Sequence, residues 1–511
     1  MARHEVSEAY GVSKDQGVSG DTQAQAPRDS QEKPEDAGTD ASISLRERSP
    51  EPPTGLGRLR WWGPGLLWAM SAVGSGSVLF TPRVGSEYGY SLLWLLWGVA
   101  LLMWVMIREA GRFAVVTGRT LLDGYSTLPG PRNWALWLVF VPQLLAAVAG
   151  VGGLSALVGS ALASELPGGL LLWSLVVLGA GVATVASGGY GTVSRVALVL
   201  ALVLVSITVA AAAGVFEADG DAVAGMVPGV PDGVDVQFIL PWIGTILAGS
   251  MGIVWFSYWT AARGFGGGTA EEASDDEGPA DRSVEARTER VAAWLRTMST
   301  TAAIGVVTGT VIITSFLVLG AELLGPEGIV PSGTDVADQL TLLLSDVWGE
   351  VGHWIMVAAI VVALGGSVLA NQDGWSRSFA DIVLLLPLRP HERGGESPVE
   401  RHRWLARLVS WRPDSMRPRQ ALTIMFALTV TGLVPALVIV FVRDPVVIMS
   451  VSGIIATIHT PFIVFATLAV NRRVPEGLRP GWATVGAMVL AGVFYSVFAV
   501  LYFADLGGLL G

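Results

Sequence analysis

The sequence predicts an all-α, polytopic membrane protein with about 11 transmembrane helices. Half of the residues (51%) are hydrophobic and only 15% are charged, where a globular chain carries about a quarter charged. The charges are also segregated. Short charged strips separate apolar runs of about twenty residues, the length that crosses a bilayer as a helix. Gly (63) and Trp (19) are abundant, as expected inside packed membrane helices and at their interfaces.

The same composition excludes several function classes. There is no cysteine, so thiol catalysis, disulfides and thiolate metal sites are absent. The five histidines (His4, His353, His391, His402, His459) have no HExxH or paired spacing, which argues against a zinc enzyme. No enzyme or cofactor motif stands out. The net charge of −11 comes largely from the N-terminal tail and the outer loops, and no basic patch invites nucleic acid.

Residues 1–54 are polar and nearly free of aromatics. They read as a disordered tail, because they cannot bury enough apolar surface to offset chain entropy. Residues 55–511 then form the transmembrane domain. Its spans fall near 61–82, 90–107, 134–158, 168–187, 193–216, 238–262, 298–321, 352–374, 420–442, 445–470 and 481–503. Arginines cluster before span one and after spans two, six, eight and ten, while the loops between these carry acids. Cationic loops stay inside. The expectation is a multi-pass plasma-membrane protein with a cytoplasmic N-terminus and an external C-terminus. One outer loop reads as an amphipathic helix from Asp335 to Trp348, with Val336, Leu340, Leu343, Leu344 and Val347 on one face and Thr334 as N-cap.

Two spans are interrupted by small residues: Gly74-Ser75-Gly76-Ser77 in span one and Gly249-Ser250-Met251-Gly252 in span six. Single interruptions can be ordinary small-residue packing. At corresponding places in two halves they point to a transport site. Spans 1–5 (about 61–216) and 6–10 (about 238–470) are then two repeats, with an extra helix at 481–503. Five spans per repeat require the second repeat to be inverted. An unwound turn inside a membrane must satisfy its freed backbone groups with protein, water or ligand.

Gly63-Pro64-Gly65-Leu66-Leu67, Tyr88-Gly89-Tyr90-Ser91-Leu92-Leu93-Trp94 and Gly111–Arg119 resemble segments of the Nramp divalent-metal transporters. The resemblance implies a LeuT-type inverted-repeat fold with broken helices 1 and 6, and movement of a divalent cation by alternating access. The metal ligands of that family are replaced here. Its first-helix Asp-Pro-Gly-Asn falls on Gly74, Ser75, Gly76 and Ser77. Its sixth-helix Met-Pro-His-Asn falls on Met251, Gly252, Ile253 and Val254, which keeps one thioether as a weak metal ligand. The acids of its third helix have no counterpart in 134–158. The chain looks like a divergent branch of that family.

A desolvated divalent ion needs compensating negative charge or it keeps its water. The candidate site is Gly74, Ser75, Gly76, Ser77, Gly249, Ser250, Met251 and Tyr258, which holds no carboxylate. A partly hydrated cation fits this, and so does a small organic or zwitterionic solute against Trp255-Phe256-Ser257-Tyr258-Trp259. A non-transporting sensor is a third reading. Asp373, Arg377 and Asp381 recur at i, i+4 and i+8 and can pair as an inner gate, or only as a helix-end structure. His459 in span ten can relay protons or simply tie two helices together. Gln143, beside Pro142 in span three, faces either the pocket or another helix.

Overall fold

Helix ends in the computed structural model follow from caps and from residues that cannot continue a helix. The described residues are 49–63, 65, 68, 74, 76–187, 203, 205–217, 220–267, 283–387, 399, 402–413 and 415–508. They belong to one compact unit, Ser42–Gly511. Among them, nine helices are long and apolar enough to cross a membrane. These are spans two to four and six to eleven. Spans one and five fall partly outside the described residues. Span one is seen as a 3-10 turn at Gly55–Trp61, a π-helical turn at Gly76–Phe80 and a helix at Thr81–Tyr88. Span five is represented by Val205–Val215. Most of the segment read as a tail also lies outside the described residues. From Ser49, however, the backbone is docked, with Arg290 and Trp294 donating to the carbonyls of Ser49 and Pro50 at 3.2 and 2.9 Å.

Span two, Leu93–Thr117, ends where Gly118 takes a left-handed conformation (φ +71°), which costs glycine little. A short helix, Leu121–Tyr125, follows and is opened by a reciprocal Thr120–Asp123 capping box. Span ten, Pro445–Asn471, starts on Asp444, whose carboxylate accepts from the Val446 and Val447 amides. Both features use local side chains to satisfy orphan N–H groups. In span nine the turn at Thr429–Leu433 is π-helical and leads into Pro435, which has no N–H to give to the helix.

The amphipathic helix expected from Asp335 begins at Val336, with Asp335 rather than Thr334 at the cap position. Thr334 donates to the Asp335 carboxylate at 3.1 Å instead of capping. Val336, Leu340, Leu343 and Leu344 are buried as their spacing requires. The helix breaks at Trp348 and Gly349, and span eight then runs as far as Leu385. A Cβ on Gly352 would lie 1.9 Å from the Leu344 carbonyl oxygen, so this bend needs a glycine.

Glycines bring span backbones into contact, as small residues do where no water drives association. Gly65 lies against the Thr301 carbonyl, Gly244 against that of Gly453, and Gly85 against that of Leu317. Span four, by contrast, leaves Leu172 and Val176 exposed, and span eleven leaves Val493, Val497 and Val500 exposed. These are the faces available to lipid.

A buried ion cluster closes one end of the bundle. Glu109 in span two is fully buried. It accepts from Arg112 at 2.8 and 3.1 Å, from Arg108 at 3.3 Å and from the Asn471 amide of span ten at 3.1 Å. At the opposite end His353 meets Glu165 at 2.8 Å, which joins the start of span eight to the end of span three.

Candidate functional site

The two broken helices touch. Gly76 starts the π-helical turn of span one, and a Cβ there would lie 2.2 Å from the Thr245 carbonyl oxygen of span six. Thr81 donates to the Gly76 carbonyl at 2.6 Å and accepts from the Trp242 indole N–H at 3.0 Å. The hydroxyl thereby fixes the span-one break against the first half of span six. Ser77 is fully buried beside it. Ser75 lies outside the described residues.

Span six is two half-helices, Val236–Thr245 and Ser250–Ala262. The break therefore sits at Ile246–Gly249, three residues earlier than the glycine spacing placed it, and Gly252 is helical. Leu247 within the break has φ +64°, an uncommon conformation for a bulky side chain and the kind found where a site enforces it. Gly249 caps the second half-helix with extended backbone. The break thus precedes Met251, which lies in the first turn of the second half-helix.

A cavity of about 1160 Å³ opens between these elements. Its deep part is lined by Gly74, Gly76, Gln143, Thr245, Ala248, Gly249, Ser250, Met251, Met449, Ser452 and Ala456. A polar network joins four spans at this level. The Gln143 amide N–H₂ donates to Ser250 at 2.8 Å and to His459 Nδ1 at 2.9 Å. Its carbonyl accepts from the Trp375 indole N–H at 3.2 Å. His459 Nε2 lies 3.0 Å from the Leu138 carbonyl, which can only accept, so Nε2 carries the proton and Nδ1 accepts. Both ring nitrogens of His459 are thus engaged. The ring stands behind Ser250 and Gln143 and holds them in place.

Trp255 and Trp375 form the aromatic wall, edge to face with centroids 5.4 Å apart. Gly374 makes room for the first and Gly150 for the second, since a Cβ on either would sit about 3 Å or less from the ring. Trp255 donates to Ser378 at 3.0 Å, so both indoles are oriented by span eight or span three.

The cavity ends among charges: Arg119, Asp123, Asp373, Arg377, Asp381, Arg417 and Arg419 line this mouth. Arg377 pairs with Asp373 at 2.7 Å, as the i, i+4 spacing predicts. Asp381 does not continue that ladder. It accepts two bonds from Arg419 of span nine, at 2.5 and 2.8 Å, and one from the Tyr258 hydroxyl at 3.0 Å. The Tyr258–Asp381–Arg419 triad ties spans six, eight and nine together.

The structure gathers Gly74, Gly76, Gly249, Ser250, Met251, Tyr258, Asp373, Arg377 and Asp381 around one cavity. Sequence reasoning missed Arg419, Trp375, Thr245 and Asp123. Arg419 and Asp123 come from other elements, whereas Thr245 and Trp375 lie on spans six and eight close to residues already singled out. Of the three carboxylates lining the cavity, Asp373 pairs with Arg377 and Asp381 with Arg419, while Asp123 belongs to the Thr120 capping box. The deep part offers neutral oxygens, an amide and thioethers. Among the described residues no group of three His, Cys, Asp or Glu could hold a metal ion.

Residues 65–372 match the family described as natural resistance-associated macrophage protein-like (Nramp). A Deinococcus radiodurans divalent metal cation transporter, MntH, is 27% identical over 162 residues, covering 31% of this chain and 36% of that protein. Arabidopsis thaliana metal transporter Nramp3 is 35% identical over 123 residues, covering 23% of this chain and 22% of that protein. The matched stretches thus span little more than a third of the first relative's length and less than a quarter of the second's. A crystal structure of the Eremococcus coleocola manganese transporter superposes with TM-score 0.61 at 14% identity, covering 91% of each chain. That likeness is one of fold.

Proposed function

The chain belongs to the Nramp family, and on that premise we propose that it moves a divalent metal cation, still partly hydrated, across the plasma membrane by alternating access. The observation that carries this reading is the chemistry of the cavity wall: the broken helices contribute only neutral donors, and two of the three carboxylates, Asp373 and Asp381, are already paired with arginines. A bare divalent ion deep in such a site would lack compensating charge. A hydrated ion brings its own ligands. Six waters of about 30 Å³ each occupy roughly 180 Å³, and the cavity is far larger. Ser250 and Gln143, with the backbone of the two breaks, then bind the water shell rather than the metal. A hard, reluctantly dehydrated ion such as Mg²⁺ suits this better than one that needs soft ligands.

The Trp255–Trp375 wall favours a second reading, a small organic or zwitterionic solute. Uptake into proteoliposomes separates the two. Metal transport predicts saturable uptake of Mg²⁺ or Mn²⁺ with little discrimination between them. It also predicts only weak calorimetric Mn²⁺ binding by the parent, tightened by Gly74→Asp alone or with Ser77→Asn. Tight Mn²⁺ binding by the unmodified protein would contradict the charge argument. Uptake of polar metabolites but of no metal, abolished by Trp255→Ala, would establish the organic reading.

We also assign the arginine-rich mouth to the cytoplasmic side, from the distribution of loop arginines, and the Tyr258–Asp381–Arg419 triad to an inner gate. The absence of native cysteine makes a clean test. A Ser452→Cys side chain deep in the cavity should react with a membrane-impermeant thiol reagent only from the cytoplasmic side. Adding Asp381→Asn, which unties Arg419, should raise that labelling rate several-fold. Labelling from outside intact cells would reverse the orientation, and an unchanged rate would remove the gate.

A further inference from the structure

Away from the cavity, the 3-10 turn Gly55–Trp61 meets the start of span seven and encloses a pocket of about 240 Å³. Arg58 from the turn and Arg296 from span seven both line it, with Trp62, Thr297 and Thr300. Among the described residues neither arginine is engaged in a salt bridge, Arg58 Nε donates to the Pro53 carbonyl at 3.3 Å, and both side chains are exposed. The turn also projects Leu56 and Leu59 outward, at 82% and 47% exposure, the arrangement of a segment that lies in a membrane interface.

Span seven continues the pocket into the bilayer. Arg296 and Thr300 head a stripe at helical spacing that runs through Ile304 to Val307 and Val311. Thr300, Val307 and Val311 are exposed along it. A pair of cations above an exposed apolar track matches one kind of molecule, with an anionic head and a long hydrocarbon tail. The pocket also bridges elements that are already tied. Thr301 donates to the Trp61 carbonyl at 3.0 Å, and Gly65 and Gly305 let the entry of span one sit directly on span seven.

We propose that this pocket binds an anionic phospholipid. Its phosphate lies between Arg58 and Arg296, and an acyl chain runs along Thr300, Val307 and Val311. The bound lipid staples the entry of the first broken helix to span seven, which would stabilise the contact that positions the span-one break.

The test is a titration of the full-length detergent-solubilised protein with fluorescent long-chain phosphatidylglycerol or phosphatidylcholine. The parent should prefer phosphatidylglycerol. The Arg58→Gln, Arg296→Gln double variant should bind it roughly ten- to thirty-fold more weakly, the effect expected of two basic groups at an anionic headgroup. Arg403→Gln, at an exposed arginine that opens a short helix elsewhere, should change nothing. Water-soluble glycerol phosphate should bind at least tenfold more weakly than the long-chain lipid. Unchanged phosphatidylglycerol binding by the double variant would overturn the site. Equal binding of glycerol phosphate, or displacement of the lipid by millimolar inorganic phosphate, would make it an anion site with no acyl-chain track and overturn the proposal as stated.

Discussion

Gly76→Ala is expected to reduce initial uptake rates by about tenfold or more while leaving most of the protein folded. The added methyl would stand 2.2 Å from the Thr245 carbonyl oxygen and 3.1 Å from its Cβ. Overpacking of this kind costs typically 1–3 kcal/mol, which a large bundle tolerates. The neighbour is the backbone at the end of a half-helix, so no side chain can swing aside. The two breaks themselves must separate, and the Thr81 bonds to Gly76 and Trp242 that align them must stretch. Gly98→Ala is the matched control, since a Cβ there meets nothing within 4 Å. Uptake assays on both variants, normalised to folded protein by size-exclusion profile, give the answer. Near-parent uptake by Gly76→Ala would mean that transport does not depend on contact between the broken helices.

The part of this architecture that was legible in the sequence is the part governed by local rules. Apolar runs of span length, arginine-rich strips between them and the amphipathic helix from Val336 all rest on composition and periodicity. The span-one break was visible because Gly74 to Ser77 are all small. The span-six break was placed three residues late for a physical reason. The glycines at 249 and 252 advertise flexibility, yet the chain bends at Ile246, Leu247 and Ala248. A leucine at φ +64° carries no sequence signal, because packing rather than propensity enforces it. Here the fully buried Leu247 lies against Gly309 of span seven, where a Cβ would come within 2.5 Å of its side chain.

The site divides in the same way. The i, i+4 rule found the Asp373–Arg377 pair, which lies on one helix face. It extended the ladder to Asp381, which in fact serves Arg419, 38 residues further on. The Gln143–Ser250–His459–Trp375 network draws each member from a different span. A lone glutamine, histidine or serine in an apolar run says only that a partner must exist, since unpaired polar groups in a membrane interior are costly. Which partner is a property of the tertiary fold.

Glu109→Ala is expected to have the largest effect on stability. Glu109 is fully buried, and its two oxygens are shared among Arg112, Arg108 and Asn471. Arg112 also donates to the Leu478 carbonyl at 2.9 Å, and Arg108 to Thr484 at 2.5 Å. The carboxylate therefore holds span two against span ten and the entry to span eleven. Its removal leaves two largely buried guanidinium groups without their counter-charge. Breaking a buried pair from one side costs about 3–5 kcal/mol, enough to lower the unfolding midpoint by many degrees or to abolish recovery of folded protein. The penalty comes from the stranded charge rather than from the lost contact alone. A Glu109→Leu, Arg112→Leu double variant should accordingly be less damaged than Glu109→Ala, because replacing both partners by apolar groups is often close to neutral. Thermal unfolding of the three proteins in one detergent provides the comparison. A double variant no better than the single would show that the cluster acts through Arg108 and Asn471 rather than through the Glu109–Arg112 pair.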